Sequence, residues 1–89
     1  MGNIVLKLSV PERDCIVSNI LTQPDLTERL KLAPIEKKQV TAVYSVDEIE
    51  DLLDAVTAEA NYAADEQLQK SLDRVADKLE EILIELARF

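Results

Sequence analysis

Two stretches decide the fold: Ile4-Val5-Leu6-Lys7-Leu8-Ser9-Val10-Pro11-Glu12 and Val40-Thr41-Ala42-Val43-Tyr44-Ser45-Val46-Asp47-Glu48. They stand 36 residues apart and are laid out alike. In each, apolar side chains recur at every second position: Ile4, Leu6, Leu8 and Val10 in one, Val40, Ala42, Tyr44 and Val46 in the other. That period belongs to a strand with one buried face. Each strand then runs into a serine followed three residues later by a glutamate, Ser9 with Glu12 and Ser45 with Glu48. This is the capping box: the serine oxygen accepts from a free N–H of the first helical turn, and the glutamate reaches back to the cap. Behind each box the apolar positions of a helix also match, Ile16, Val17 and Ile20 against Leu52, Leu53 and Val56. The chain therefore reads strand, cap, helix, twice. Chance and an old duplication both account for two copies, and the structural reading does not depend on which is true.

Between the copies, Gln23-Pro24-Asp25 interrupts the first helix. Asp25 with Glu28 can cap a short second helix carrying Leu26, Leu30 and Ala33, which Pro34 stops. Two helices between two strands return the second strand antiparallel to the first, whereas a single helix would favour a right-handed parallel crossover.

After the second box, Ile49, Leu52, Leu53, Val56 and Ala60 form one face of a helix from about Asp47 to Asn61. From Asp65 on, Leu68, Leu72, Val75, Leu79, Ile82, Leu86 and Phe89 alternate spacings of four and three, a heptad seam. At Asn61-Tyr62-Ala63-Ala64-Asp65 the seam slips phase; Asn61 suits a left-handed helix end and Asp65 an N-cap. A hairpin of two antiparallel helices is expected there, against one long helix. The expected architecture is one α+β domain over residues 1–89, mostly helical, in the order β-α-α-β-α-α, with a two-stranded antiparallel sheet and a C-terminal helical hairpin.

Composition removes several functions. The 89 residues carry 18 acidic and 10 basic side chains, a net charge of −8, which opposes nucleic acid and anionic membrane. No apolar run approaches the ~20 residues of a membrane span. Gly2 is followed at position 6 by Leu6 where a myristoylation motif needs Ser or Thr, and no signal-peptide pattern is present. A cytoplasmic protein is expected, in keeping with the single Cys15. The sequence has no histidine and one glycine, which removes the commonest general base and leaves triad and phosphate-loop chemistries with little support. No catalytic residue, metal ligand or cofactor is expected, and Cys15 reads as a small apolar residue rather than a nucleophile.

The charge is concentrated. Residues 47–66 hold eight acidic and no basic groups. Asp47, Glu50, Asp51 and Asp54 fall at i, i+3, i+4 and i+7, opposite the apolar face. Most such faces are simply solvated; the functional alternative is a docking surface for a basic protein. A hard-cation site is disfavoured because helix-borne carboxylates lack loop oxygens. The second candidate surface is the end of the last helix, Ile82, Leu83, Ile84, Leu86 and Phe89, because the seam outruns the Ile49–Ala60 face available to cover it. A homodimer is expected to use it, with Ile84 almost opposite the seam.

The order strand-helix-helix from Val40 to Ala87 is similar to ribbon-helix-helix DNA-binding proteins, whose paired strands read bases in the major groove. The outward positions would be Gln39, Thr41, Val43 and Ser45, after Lys37 and Lys38. Asp65-Glu66, at the start of the last helix, would repel a phosphate there. A DNA-associated regulator is the alternative function. Separately, Asp47–Leu79, with Val56-Thr57-Ala58-Glu59-Ala60-Asn61 ahead of Asp65 and Leu68, resembles segments of small uncharacterised bacterial proteins with a V-A-A-E-A-N helical core. The first strand and Pro11-Glu12-Arg13 are similar too, while Tyr62 stands where that pattern has a histidine. The resemblance implies no activity and no catalytic residue. The function expected is a small acidic interaction module that self-associates through its last helix.

Overall fold

A computed structural model describes residues 3–87. In chain order the elements are β1 (Ile4–Ser9), α1 (Val10–Asn19), α2 (Pro24–Leu32), β2 (Ile35–Glu36), β3 (Gln39–Tyr44), α3 (Val46–Tyr62) and α4 (Glu66–Ala87). The α+β, mainly helical reading holds. The sheet differs from expectation: among the described residues it has three antiparallel strands in the order β1-β3-β2, not two. The added strand is two residues long and reaches β3 through Lys37-Lys38, with φ of 52° and 66°. A two-residue turn with both φ positive follows the twist of a hairpin, but it is normally written with Asn or Gly. Two lysines give no such signal, so the strand was not legible.

β1 and β3 pair Ile4 with Tyr44, Leu6 with Ala42 and Leu8 with Val40. Their inward side chains Leu6, Leu8, Val40, Ala42 and Tyr44 are buried, while Val5, Lys7, Gln39 and Val43 face outward and are exposed. Both capping boxes form: Ser9 Oγ accepts from Glu12 N at 3.2 Å and Glu12 Oε1 from Ser9 N at 2.8 Å, and Ser45 with Glu48 repeats both distances. Two helices thus begin directly at strand ends, with no loop.

The α2 start departs from expectation. Gln23 is the cap and makes no side-chain bond, and Pro24 occupies the first turn, a position where its missing N–H costs nothing. Asp25 is therefore inside the helix rather than capping it. The α3–α4 break falls at Ala63-Ala64-Asp65, giving the hairpin. Asn61 does not end α3 in a left-handed conformation; the helix continues through Tyr62, and Ala63 turns out in an extended conformation, φ −67° and ψ 123°. Asp65 Oδ1 accepts from Gln67 N at 3.0 Å and so caps α4.

One core joins the sheet to all four helices. Ile16 of α1 and Ile20 just after it, Leu30 of α2, Ile49, Leu52, Val56 and Ala60 of α3, and Leu72, Val75 and Leu79 of α4 meet the inner face of the sheet. Burying each Leu, Ile or Val contributes about 1.5–3 kcal/mol, which offsets the ordering cost of a chain this small. Among the described residues no helix covers the outer face of the sheet, where Val5, Lys7, Gln39 and Val43 are exposed.

Candidate functional site

The seam of α4 leaves the molecule gradually. Leu72, Val75 and Leu79 are fully buried, Ile82 and Leu83 are half-buried against the same core, and Leu86 is 41% exposed. Ile84 is 50% exposed and lies about 200° around the helix from Leu86. The face continuous with the core is therefore Ile82, Leu83 and Leu86, with Ile84 on the other side. Phe89 lies outside the described residues. Ile82 and Leu83 are partly used by the chain's own core, against which both pack. The free overhang is accordingly shorter than the sequence suggests.

Asp47, Glu50, Asp51 and Asp54 are all exposed on α3, opposite Ile49, Leu52, Val56 and Ala60. Their placement matches the expected phase. Among the described residues no group of three or more Asp, Glu, Cys or His is arranged to hold a metal ion.

A polar node not expected from the sequence joins α2 to the start of α3. Arg29 donates to both carboxylate oxygens of Glu48, at 2.9 and 3.0 Å, and to the Val43 carbonyl at 3.0 Å. Its guanidinium lies 4.8 Å from the centroid of the Tyr44 ring, a cation–π contact. Tyr44 Oη donates to the Leu26 carbonyl at 2.7 Å. The Arg29 hydrogen bonds, followed by the Ser45 backbone N–H, pull the Glu48 carboxyl down to about 2. Burial pushes the Tyr44 phenol up to about 12. The first box has a counterpart: Lys78 of α4 donates to Glu12 Oε1 at 2.9 Å. Burial raises Glu12, but the Ser9 N–H and Lys78 outweigh it and hold the carboxyl below its ordinary range. These carboxylates are ion-paired helix caps, with depressed rather than raised proton affinity, and general-acid work needs the opposite.

Cys15 is half-buried, and burial pushes its thiol up despite a contact from Asn19. That suppresses the thiolate a nucleophile needs. It borders a cleft of about 370 Å³ between α1 and α4, with Ser9, Glu12, Ser71 and Arg74.

Two further depressions lie around the sheet. One, about 350 Å³, sits on Lys7, Glu36, Lys37, Gln39 and Thr41. The other, an open apolar groove of about 480 Å³, lies where β2 stops short of the end of β3; Arg29, Leu32, Ala33, Pro34, Thr41 and Val43 line it. Leu32 is 77% exposed there. Of the outward positions considered for base reading, Gln39 and Val43 are exposed and Thr41 half-buried, but the Ser45 hydroxyl is taken by Glu48 N. No protein family, curated protein or solved structure matches the chain, and among the described residues no helix is long and apolar enough to cross a membrane.

Proposed function

We propose that this chain is a small acidic interaction module that self-associates through the C-terminal turns of α4, with the dimer as its smallest assembly. One observation carries the reading: the apolar stripe that fills the core continues past the core, from buried Leu79 through half-buried Ile82 and Leu83 to Leu86, 41% exposed. A stripe that runs off its own fold is covered by another chain. Ile84, about 200° around the helix from Leu86, does not share that face. The exposed carboxylates of α3 then form a separate docking face for a basic protein, and the unpaired Cys15 thiol fits a reducing, cytoplasmic setting. No catalytic step is assigned to any residue.

Light scattering across a concentration series tests the reading. The wild-type mass should rise above the 10.0 kDa of one chain, and Leu86→Asp should hold it there with an unchanged circular dichroism spectrum. A wild-type monomer at every concentration overturns the reading.

The second reading, a DNA-associated regulator, is favoured by the outer sheet face, where Lys7 and Lys37 flank Gln39 and Thr41 beside the Lys38 turn. Against it stands the net charge of −8. A mobility shift with random duplex at low salt, lost in Lys37→Glu/Lys38→Glu, would favour it over the first.

A further inference from the structure

We infer that β1 is a strand through which two copies join, pairing antiparallel with β1 of the partner subunit so that the two sheets run on as one. This rests on the self-association proposed above and adds to it a contact that α4 does not make.

The two edges of the sheet are not alike. β2 is two residues long, follows Pro34 and ends in the Lys37-Lys38 turn. A short edge with proline and lysines at its ends is a poor template for another strand. β1 is six residues long, has no proline, and among the described residues pairs only with β3. The direction of its main-chain groups follows from β3. Thr41 N donates to the Pro34 carbonyl, so the odd-numbered residues of β3 turn their main-chain groups to β2 and the even-numbered ones to β1. Val40, Ala42 and Tyr44 therefore bond with their ladder partners Leu8, Leu6 and Ile4. Val5 and Lys7 are left with their N–H and C=O groups on the open edge, whereas Ser9 N is taken by Glu12 Oε1 at 2.8 Å. An added strand takes up groups of this kind.

The occupant is a second β1 because the strand is complementary to itself about Leu6. Antiparallel pairing centred there sets Leu6 against the partner's Leu6 and Ile4 against the partner's Leu8, so the inner face of one sheet continues into that of the other. On the outer face Val5 meets the partner's Lys7, and Lys7 the partner's Val5. These are the residues with free main-chain groups, so both pairs exchange N–H···O=C bonds. Neither lysine meets its own copy; each lays its alkyl stem on an exposed valine. The same patch is used on both copies, so the contact closes at the dimer.

Val5→Lys and Val5→Glu test the register. Val5 is 53% exposed, so neither change enters the core. Across the pairing, the new lysine would stand against the partner's Lys7 and repel it, and the new glutamate would attract it, twice in each dimer. By light scattering, Val5→Lys should self-associate about tenfold more weakly than Val5→Glu. On a chain of net charge −8, unspecific repulsion gives the reverse order. Lys7→Pro removes an N–H that the ladder with β3 does not use; it should keep the circular dichroism spectrum and lose assembly, and if it unfolds, the Val5 variants decide. In the wild type, the Val5 and Lys7 amides should become protected from hydrogen exchange as concentration rises. Equal or reversed order of the Val5 variants, or amides that exchange equally fast once the mass has doubled, overturns the strand contact and leaves self-association through α4 standing. If Leu86→Asp assembles like wild type while Val5→Lys does not, the strand contact stands and the α4 contact fails. A wild-type protein monomeric at every concentration removes both.

Discussion

Replacing Glu48 with Gln and with Ala separates two jobs that one side chain performs. The carboxylate closes the capping box on Ser45 N at 2.8 Å and pairs with Arg29 through both oxygens. Gln retains the acceptor that the box needs but removes the charge. Ala removes both. The Glu48 and Arg29 side chains keep 31% and 41% of their surface exposed, so screening limits the pair to about 1 kcal/mol even in bidentate geometry. Loss of the box adds about 0.5–2 kcal/mol. At pH 7, Glu48→Gln should therefore cost about 1 kcal/mol and Glu48→Ala about 2, read from urea melts followed at the helix signal. A domain of this size loses about 4–8 °C of Tm per kcal/mol. The pH dependence is the sharper test. The folded carboxyl is held at about 2 against an ordinary value of 4.5, so its contribution is complete above about pH 4.5 and disappears as pH falls towards 2. Other carboxylates titrate in the same range, but the difference between wild type and Glu48→Gln isolates this one. That gap should shrink by more than half between pH 7 and pH 3. A gap that stays constant over that interval would refute the charge pairing, and equal costs for Gln and Ala at pH 7 would refute a separate role for the box.

Exchanging Lys37-Lys38 for Asn-Gly should stabilise the domain by about 1–2 kcal/mol, because two lysines held at φ of 52° and 66° carry a left-handed penalty that Gly avoids; an unchanged urea midpoint would mean the turn relaxes in solution. Ser45→Ala should cost about 1 kcal/mol, with exposed Ser18→Ala near zero, and equal effects would show that the box adds nothing. Cys15 should react with a thiol reagent at pH 8 more slowly than the same chain in denaturant, since burial pushes its thiol up; equal rates would place it at the surface. Reversing Asp47, Asp51 and Asp54 to Lys should leave the circular dichroism spectrum unchanged, as all three are exposed on α3, and loss of helix signal would count against that.

What the sequence discloses is what it encodes locally. The capping boxes span three residues, and the strand alternation needs only the side chains of one strand, so both strands and the starts of α1 and α3 were legible. The third strand was not. Its two residues gain their pairing from β3, and their turn uses lysines in place of the residues that announce it. Arg29 and Glu48 lie nineteen positions apart, and nothing in either neighbourhood marks them as partners. The acidic face was legible because phase on a helix is local. The extent of the α4 overhang was not, because it depends on where α3 starts and stops.

The two halves of the chain interlock rather than sit side by side. Across the β1–β3 ladder, the pair Ile4 and Tyr44 corresponds to the pair Val40 and Leu8 under the 36-residue offset, and the central pair Leu6 and Ala42 corresponds to itself. The strands are thus related by an approximate two-fold axis through that central pair. The ion pairs follow the same exchange. Glu12 caps the helix of the first half but takes its cation from Lys78 in the second, and Glu48 caps the helix of the second half but takes its cation from Arg29 in the first. Each half supplies the charge that completes the other's helix start, so neither cap is whole until the ladder has brought the halves together. The symmetry then breaks at the ends. α2 stops after nine residues and leaves a groove beside β3, while α4 runs for 22 and carries an apolar face past the core.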